Sequence, residues 1–162
     1  MIKVLRVDDR LLHGQVAVSC VNHLKVDTIL IANDALIQDK TMRIAFELAK
    51  PAGVVLSMKS LEGAIAVINN PKHESRNILV ITKTIQDAKY LCDKTDVKIK
   101  EILLGGLRSG EGKKQIDMNS YMSKDDIEVM NQLVESNRHV YMQQVPGAKI
   151  LEVVEINKIF NK

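Results

Sequence analysis

The stretch Val7-Asp8-Asp9-Arg10-Leu11-Leu12-His13-Gly14-Gln15-Val16 sets two acids, a guanidinium and an imidazole between an apolar run and a helical pattern. Those residue types could build a phosphate or carboxylate site. If a strand ends near Val7 and a helix begins near Gly14, His13 stands at a helix N-terminus. Unpaired backbone N–H groups and the positive end of the macrodipole favour an anion there. The same field and the neighbouring Arg10 guanidinium favour a neutral imidazole, which keeps a ring nitrogen available as a nucleophile toward phosphorus. Arg10 matches phosphate oxygens in its geometry and would neutralise a transferring group. Asp8 or Asp9 would hold Arg10 or orient the ring, Gly14 would let the backbone approach closely, and Gln15 offers a neutral amide. The plain alternative is that Asp9 caps a helix, Arg10 is a solvated first-turn residue and His13 does no chemistry. His23, His73 and His139 lack comparable polar company at a strand end and read as surface or packing residues.

The elements that would position this loop follow from periodicity. Short apolar runs cover Ile2 to Val7, Asp27 to Ala32, Gly53 to Met58, Asn77 to Thr82, Glu101 to Gly106 and His139 to Val145. They are rich in Ile, Val and Leu with little polar alternation, as strands covered on both faces are. Helical spacing fills the gaps: Val16, Ala17, Cys20, Val21 and Leu24 share one face, and Met42, Ala45, Phe46 and Ala49 share another before Pro51. Ser60 is an N-cap candidate; Thr84 with Asp87 and Ser123 with Asp126 resemble capping boxes with Asp in place of Glu. The reading is an α/β fold, an open, mostly parallel β-sheet with helices on both faces, in a single domain spanning 1–162. The tail from Lys149 to Phe160 fits either a helix or an edge strand. In such sheets ligands bind beyond the carboxyl ends of the strands. The loops to inspect are therefore Asp8 to Gln15, Asn33-Asp34, Ser57 to Lys59, Lys83-Thr84 and Gly105 to Lys114.

Composition narrows the chemistry. Apolar residues make up 46% of the chain and charged residues 27%, the balance of a globular protein. No run is long enough to span a membrane, and the N-terminus reads as having no signal peptide, so a cytoplasmic location is expected. A net charge of +3 with 3% aromatics gives no case for nucleic acid. Cys20 and Cys92 read as buried, reduced thiols rather than a disulfide or metal pair. No metal-ligand cluster and no cofactor fingerprint stands out. Paired acids after a first strand also occur in receiver domains, but the third run offers Ser57 and no Asp, and the fifth ends without Lys. GxSxG, Walker A and GxGxxG are absent after any strand, and RSGEGKK reads as a basic turn.

The residues RVDDRLLHGQV resemble the active-site loop of the enzyme IIB component of the mannose/fructose/sorbose class of the bacterial phosphotransferase system (PTS). ILIANDAL, VITKTIQDA, GEGKKQI and the late Val-Pro of QQVP are similar to further family segments in the same order, so the resemblance covers nearly the whole chain. It implies a phosphoryl carrier: His13 accepts phosphoryl from a phosphorylated IIA partner and passes it to a sugar imported through IIC and IID membrane components. Arg10 would stabilise the phosphate; Asp9, Gly14 and Gln15 would shape the loop; Asn33, Asp34 and Lys83 would wall the site. No cofactor or metal is implied, the location would be cytoplasmic and peripheral to the transporter, and a homo-oligomer is compatible with the pattern. The chain departs from the family pattern at Cys20, where members often carry Trp, and at Gly105-Gly106, where Gly-Asn is common. Gln143 and Gln144 stand where some members have a basic residue, which would leave the phosphate more dependent on Arg10. A phosphorylation-sensing regulatory or binding domain with the same fold is the rival reading.

Overall fold

A computed structural model describes residues 1–162. From the N-terminus run β1 (Ile2–Val7), α1 (Gly14–Leu24), β2 (Thr28–Ala32), α2 (Asp34–Ile37), α3 (Lys40–Ala49) and β3 (Val55–Lys59). Next come α4 (Leu61–Asn69), β4 (Ile78–Thr82), α5 (Ile85–Lys94) and β5 (Glu101–Leu104). The last third holds β6 (Lys113–Asp117), β7 (Ser120–Ser123), α6 (Lys124–Glu135), β8 (His139–Met142), β9 (Leu151–Glu152) and α7 (Val153–Phe160). Seven strands form one sheet in the order β3-β2-β4-β1-β5-β8-β9, parallel except for β9. The expected open, mostly parallel sheet is therefore what forms.

Right-handed crossovers make the direction of each connection choose its face of the sheet. The steps from β1 through β3 run one way and place α1, α2 and α3 on one face, where Ala17, Cys20, Val21, Leu36 and Phe46 pack on Ile29, Ile31, Leu79 and Ile81. From β3 onward the chain runs back. Ala64, Leu91, Met130 and Ile156, from α4 to α7, then cover Leu5, Leu30, Val80 and Leu104 on the other face. Adjacent residues of each inner strand thus enter opposite cores, so those strands are apolar throughout. β1 lies in the middle, bonded to β4 on one side and β5 on the other. Its carboxyl end emerges where the two directions of connection part, the crevice in which open sheets bind ligands.

Helix starts follow the capping residues. Ser60 accepts from the Gly63 N–H at 3.1 Å and Thr84 from the Asp87 N–H at 3.1 Å. Only Ser123 and Asp126 form the reciprocal box. At the tail both readings hold in succession: Leu151–Glu152 adds an antiparallel edge to β8, and Val153 begins a helix. RSGEGKK is more than a turn, because it leads into a two-stranded hairpin of β6 and β7 outside the main sheet. β6 is mostly polar and exposed and β7 is only four residues long, so neither has the apolar run that marks the others.

Candidate functional site

The loop after β1 is shaped from its first residue. The Asp8 N–H bonds the Thr82 carbonyl of β4 at 2.9 Å, and the Asp9 N–H bonds the Gly106 carbonyl beyond β5 at 3.0 Å, so the chain leaves the sheet pinned on both sides. The Leu11 N–H then returns to the Asp8 carbonyl at 2.9 Å, closing a tight turn with Leu11 at φ 58°. A leucine in that region costs roughly 1–2 kcal/mol, and burial of Leu11 and Leu12 offsets it. His13 is extended at φ −146° and forms the N-cap of α1, but its side chain caps nothing. Gly14 follows at φ 32°, where a Cβ would meet no atom; glycine is needed there for its backbone angle, not for space. The first N–H groups of α1 are left without a side-chain cap, in the position where helices receive anions.

Asp8 is the hub of the site. Its side chain is fully buried, and Oδ2 accepts from Arg6 Nη2 at 3.0 Å, from the Gly106 N–H at 3.3 Å and from His13 Nε2 at 2.9 Å, while Oδ1 accepts from the Arg10 N–H at 3.1 Å. Burial pushes its carboxyl up; the His13 bond, the Arg6 charge and the Arg10 N–H outweigh that and hold it below the usual carboxylate range. Asp8 is therefore ionised and can only accept, so Nε2 carries the ring proton and Nδ1 keeps its lone pair. Arg6 is as buried as Asp8, and its Nη2 also donates to the Gln144 carbonyl at 2.9 Å. A Cβ on Gly105 would collide with that guanidinium, so this glycine makes room for the ion pair; one on Gly106 would touch Asp8 at ordinary contact distance and press only on Arg10 Nη2. Arg10 differs: its Nε is 3.8 Å from Asp8 Oδ1 and its side chain is 53% exposed, leaving both Nη groups to solvent.

Over residues 2–162 the chain matches the family model for the PTS sorbose subfamily IIB component. The chain belongs to that family. Its similarity to the sorbose-specific EIIB component of Lacticaseibacillus casei is 27% identity over 100% of this chain and 99% of that protein. The mannose-specific EIIAB component of Escherichia coli (strain K12) is 26% identical, with 95% of this chain matching 48% of the longer protein. Among solved structures, the IIBSor domain of the sorbose permease from Klebsiella pneumoniae superposes with a TM-score of 0.91 at 26% identity, covering 98% of this chain and 97% of that one. The fold is also that of manxB from Thermoanaerobacter tengcongensis, with a TM-score of 0.93, 23% identity, and 100% and 98% covered. This is thus a sorbose-type IIB component of a sugar phosphotransferase system, and IIB components are phosphotransferases for sugars.

In this IIB component the other residues singled out from the sequence have different partners. Asp9 caps no helix; its Oδ2 accepts from the Arg108 N–H at 2.6 Å and from Arg108 Nε at 3.0 Å, tying the loop to the segment after β5. Gln15 is exposed at the start of α1. Asn33 lines a cleft beside Arg10, but its Oδ1 caps α2 through the Leu36 N–H at 2.9 Å. Asp34 turns away and accepts from the Leu61 N–H at the start of α4. The Gln143 and Gln144 side chains face inward, Gln143 to the Ala148 carbonyl at 2.9 Å and Gln144 to Ser120 Oγ at 2.8 Å. His139, read as a surface or packing residue, is half-exposed and lies 2.7 Å from Glu101 and 2.9 Å from Glu152, partners delivered by β5 and β9. Sequence reasoning missed Arg6 and Arg108. The signal for Arg6 was a lone charge inside an apolar strand; for Arg108 there was none beyond its place after a strand end.

Two clefts flank the loop. One, of about 350 Å³, is lined by Asp9, Arg10, Leu11, Asn33, Lys83 and Arg108 among others. The second, of about 310 Å³, shares Asp9, Lys83 and Arg108 and adds Thr84, Ser109 and Lys113. Lys83, Arg108 and Lys113 of the second cleft outnumber its acids, Asp9 and Asp126, so the surface around the loop is suited to anions. Cys20 and Cys92 are buried and unpaired, as the sequence suggested. Burial raises both thiols, that of Cys92 to about 11.

Proposed function

We propose that His13 is the phosphoryl acceptor of this IIB component and that Arg10 stabilises the transferring group, within one IIB domain spanning 1–162. The observation that carries this reading is the His13 Nε2–Asp8 bond, which leaves Nδ1 unbonded at an uncapped helix N-terminus beside the free guanidinium of Arg10. In the first half-reaction the Nδ1 lone pair attacks phosphorus of the phosphorylated IIA partner; the P–Nδ1 bond forms as the bond from phosphorus to the donor atom breaks. The ring becomes an N-phospho-imidazolium that keeps its Nε2 proton, and the Asp8 carboxylate balances its charge. In the second, a sugar hydroxyl attacks phosphorus, its proton passes to solvent, and the P–Nδ1 bond breaks to restore the lone pair. Arg10 and the first N–H groups of α1 act on the oxygens that gather charge in both directions.

Asp8 and Arg6 position the ring; Gly14 and Gln15 let the phosphoryl group and its donor approach. Asp9, Asn33 and Lys83 form the nearby walls, and Asp34 serves the scaffold of that wall. The acceptor sugar would be presented by IIC and IID components at the cytoplasmic face of the membrane. No helix of this chain is long and apolar enough to cross a membrane, which fits a peripheral role. A IIA partner finds support in the EIIAB name of the mannose-specific relative.

The test is intact mass after incubation with phosphoenolpyruvate, the general phosphotransferase proteins and a cognate IIA. One acid-labile phosphoryl group is expected, absent in His13→Ala. A group that persists in that variant sinks the acceptor assignment. Sugar phosphorylation on adding the membrane components separates a carrier from a sensing domain.

A further inference from the structure

Arg108 sits on no strand or helix, yet it is held more firmly than Arg10. Its N–H and Nε both donate to Asp9 Oδ2, at 2.6 and 3.0 Å, which tethers the guanidinium by its Nε edge and leaves both Nη groups without a partner. The side chain is 71% exposed, so those groups face solvent. Arg10 lies next to the same segment, because a Cβ on Gly106 would stand 3.3 Å from Arg10 Nη2. The two arginines also line one cleft of about 350 Å³, together with Lys83. Each has a single carboxylate at its Nε edge, Asp8 at 3.8 Å for Arg10 and Asp9 at 3.0 Å for Arg108. Their outward edges therefore carry unpartnered N–H donors into one cleft, where an anion would be attracted to both.

We propose that Arg108 is a second phosphoryl-binding cation of the transfer site and that Asp9 is the positioning residue that aims it. The assignment rests on His13 being the acceptor. Two forks approaching from different segments can bind different oxygens of one phosphoryl group, which a single flexible Arg10 cannot do at once. Asp9 acts at one remove. Its Oδ2 is taken by Arg108, and its Oδ1 is buried with no partner, so the carboxylate is turned to Arg108 rather than to the ring.

The experiment uses phosphoramidate as a small donor, so that partner docking plays no part. His13 Nδ1 attacks its phosphorus, the P–N bond of the reagent breaks, and ammonia leaves. The rate is followed by intact mass and the product by its phosphorus NMR resonance. Arg108→Ala should slow phosphorylation about tenfold, shift the phosphohistidine resonance and weaken the dependence of rate on salt, with an unchanged melting temperature. Arg108→Lys should recover part of the rate, since charge returns without the fork. Asp9→Asn should give a smaller loss, because Arg108 stays charged but is no longer aimed. An unchanged resonance and rate in Arg108→Ala would overturn the assignment. So would equal losses in Arg108→Ala, Asp9→Ala and the double variant with the resonance unmoved, which would make the pair a staple between loops. If His13→Ala still takes phosphoryl, it is the acceptor assignment that falls, and Arg108 falls with it.

Discussion

Asp8→Asn is the substitution that loads the site most heavily. The carboxylate gathers Arg6, His13, the Gly106 N–H and the Arg10 N–H on two oxygens, all in a fully buried position. Asparagine keeps one acceptor oxygen and turns an amide N–H₂ toward donors. Arg6, as buried as its partner, then holds an uncompensated charge; breaking a buried pair from one side costs about 3–5 kcal/mol. For a chain of this size each kcal/mol moves the melting temperature by about 2–4 °C, so a drop of roughly 6–20 °C is expected by calorimetry. Chemistry suffers separately. An amide donating to His13 Nε2 moves the ring proton to Nδ1 and removes the nucleophilic lone pair, and losing an orienting carboxylate in this way costs on the order of 10³–10⁴ in rate. Adding Arg6→Met removes the stranded charge and should restore most of the stability, because neutral replacement of a buried pair is tolerated, while transfer stays low. The sign with pH follows from the lowered Asp8 carboxyl: its stabilisation is complete above the unfolded value near 3.9 and disappears as pH falls through the lower folded value. The variant should lack that acid limb. A melting temperature unchanged in Asp8→Asn, or transfer restored by Arg6→Met, would refute the account of Asp8 as the orienting group.

Arg10→Ala should slow phosphoryl transfer about 10- to 100-fold and leave the melting temperature unaltered, since its guanidinium is half exposed; stopped-flow transfer from phospho-IIA reads this. Gly105→Ala should destabilise by about 1–3 kcal/mol in urea titration, because the added Cβ runs into the buried Arg6 guanidinium. His139 loses some protonation to burial but gains more from Glu152 and Glu101, so its pKa is raised. Its bridge to β9 is complete below about 6.5 and lost as pH rises through the folded value; the hydrogen-exchange protection factor at Leu151–Glu152, corrected for the intrinsic pH dependence of exchange, should fall over that range in the wild type and not in His139→Ala. Neither Cys20 nor Cys92 should react with a thiol reagent at pH 8 until the chain unfolds, given their burial and raised pKa values.

The inner strands were legible because burial on both faces leaves continuous Ile, Val and Leu runs, and the helices because Ser60, Thr84 and Ser123 mark their starts. The β6–β7 hairpin was not, since β6 is polar and exposed and its only strand partner is β7, outside the main sheet. His13 and Arg10 could be found in ten consecutive residues, since strand end, turn and helix start are local events. Which acid serves the ring could not. Asp8 and Asp9 are adjacent and chemically alike, and only the sheet separates them: β5 beside β1 brings Gly106 and Arg108 to the loop, and the segment after β8 brings the Gln143 and Gln144 carbonyls that Arg6 needs. Local sequence thus determined the candidate nucleophile proposed above and its helix terminus. Long-range strand order decided the charge partners, because a buried ion is held only by groups that folding carries to it from distant parts of the chain.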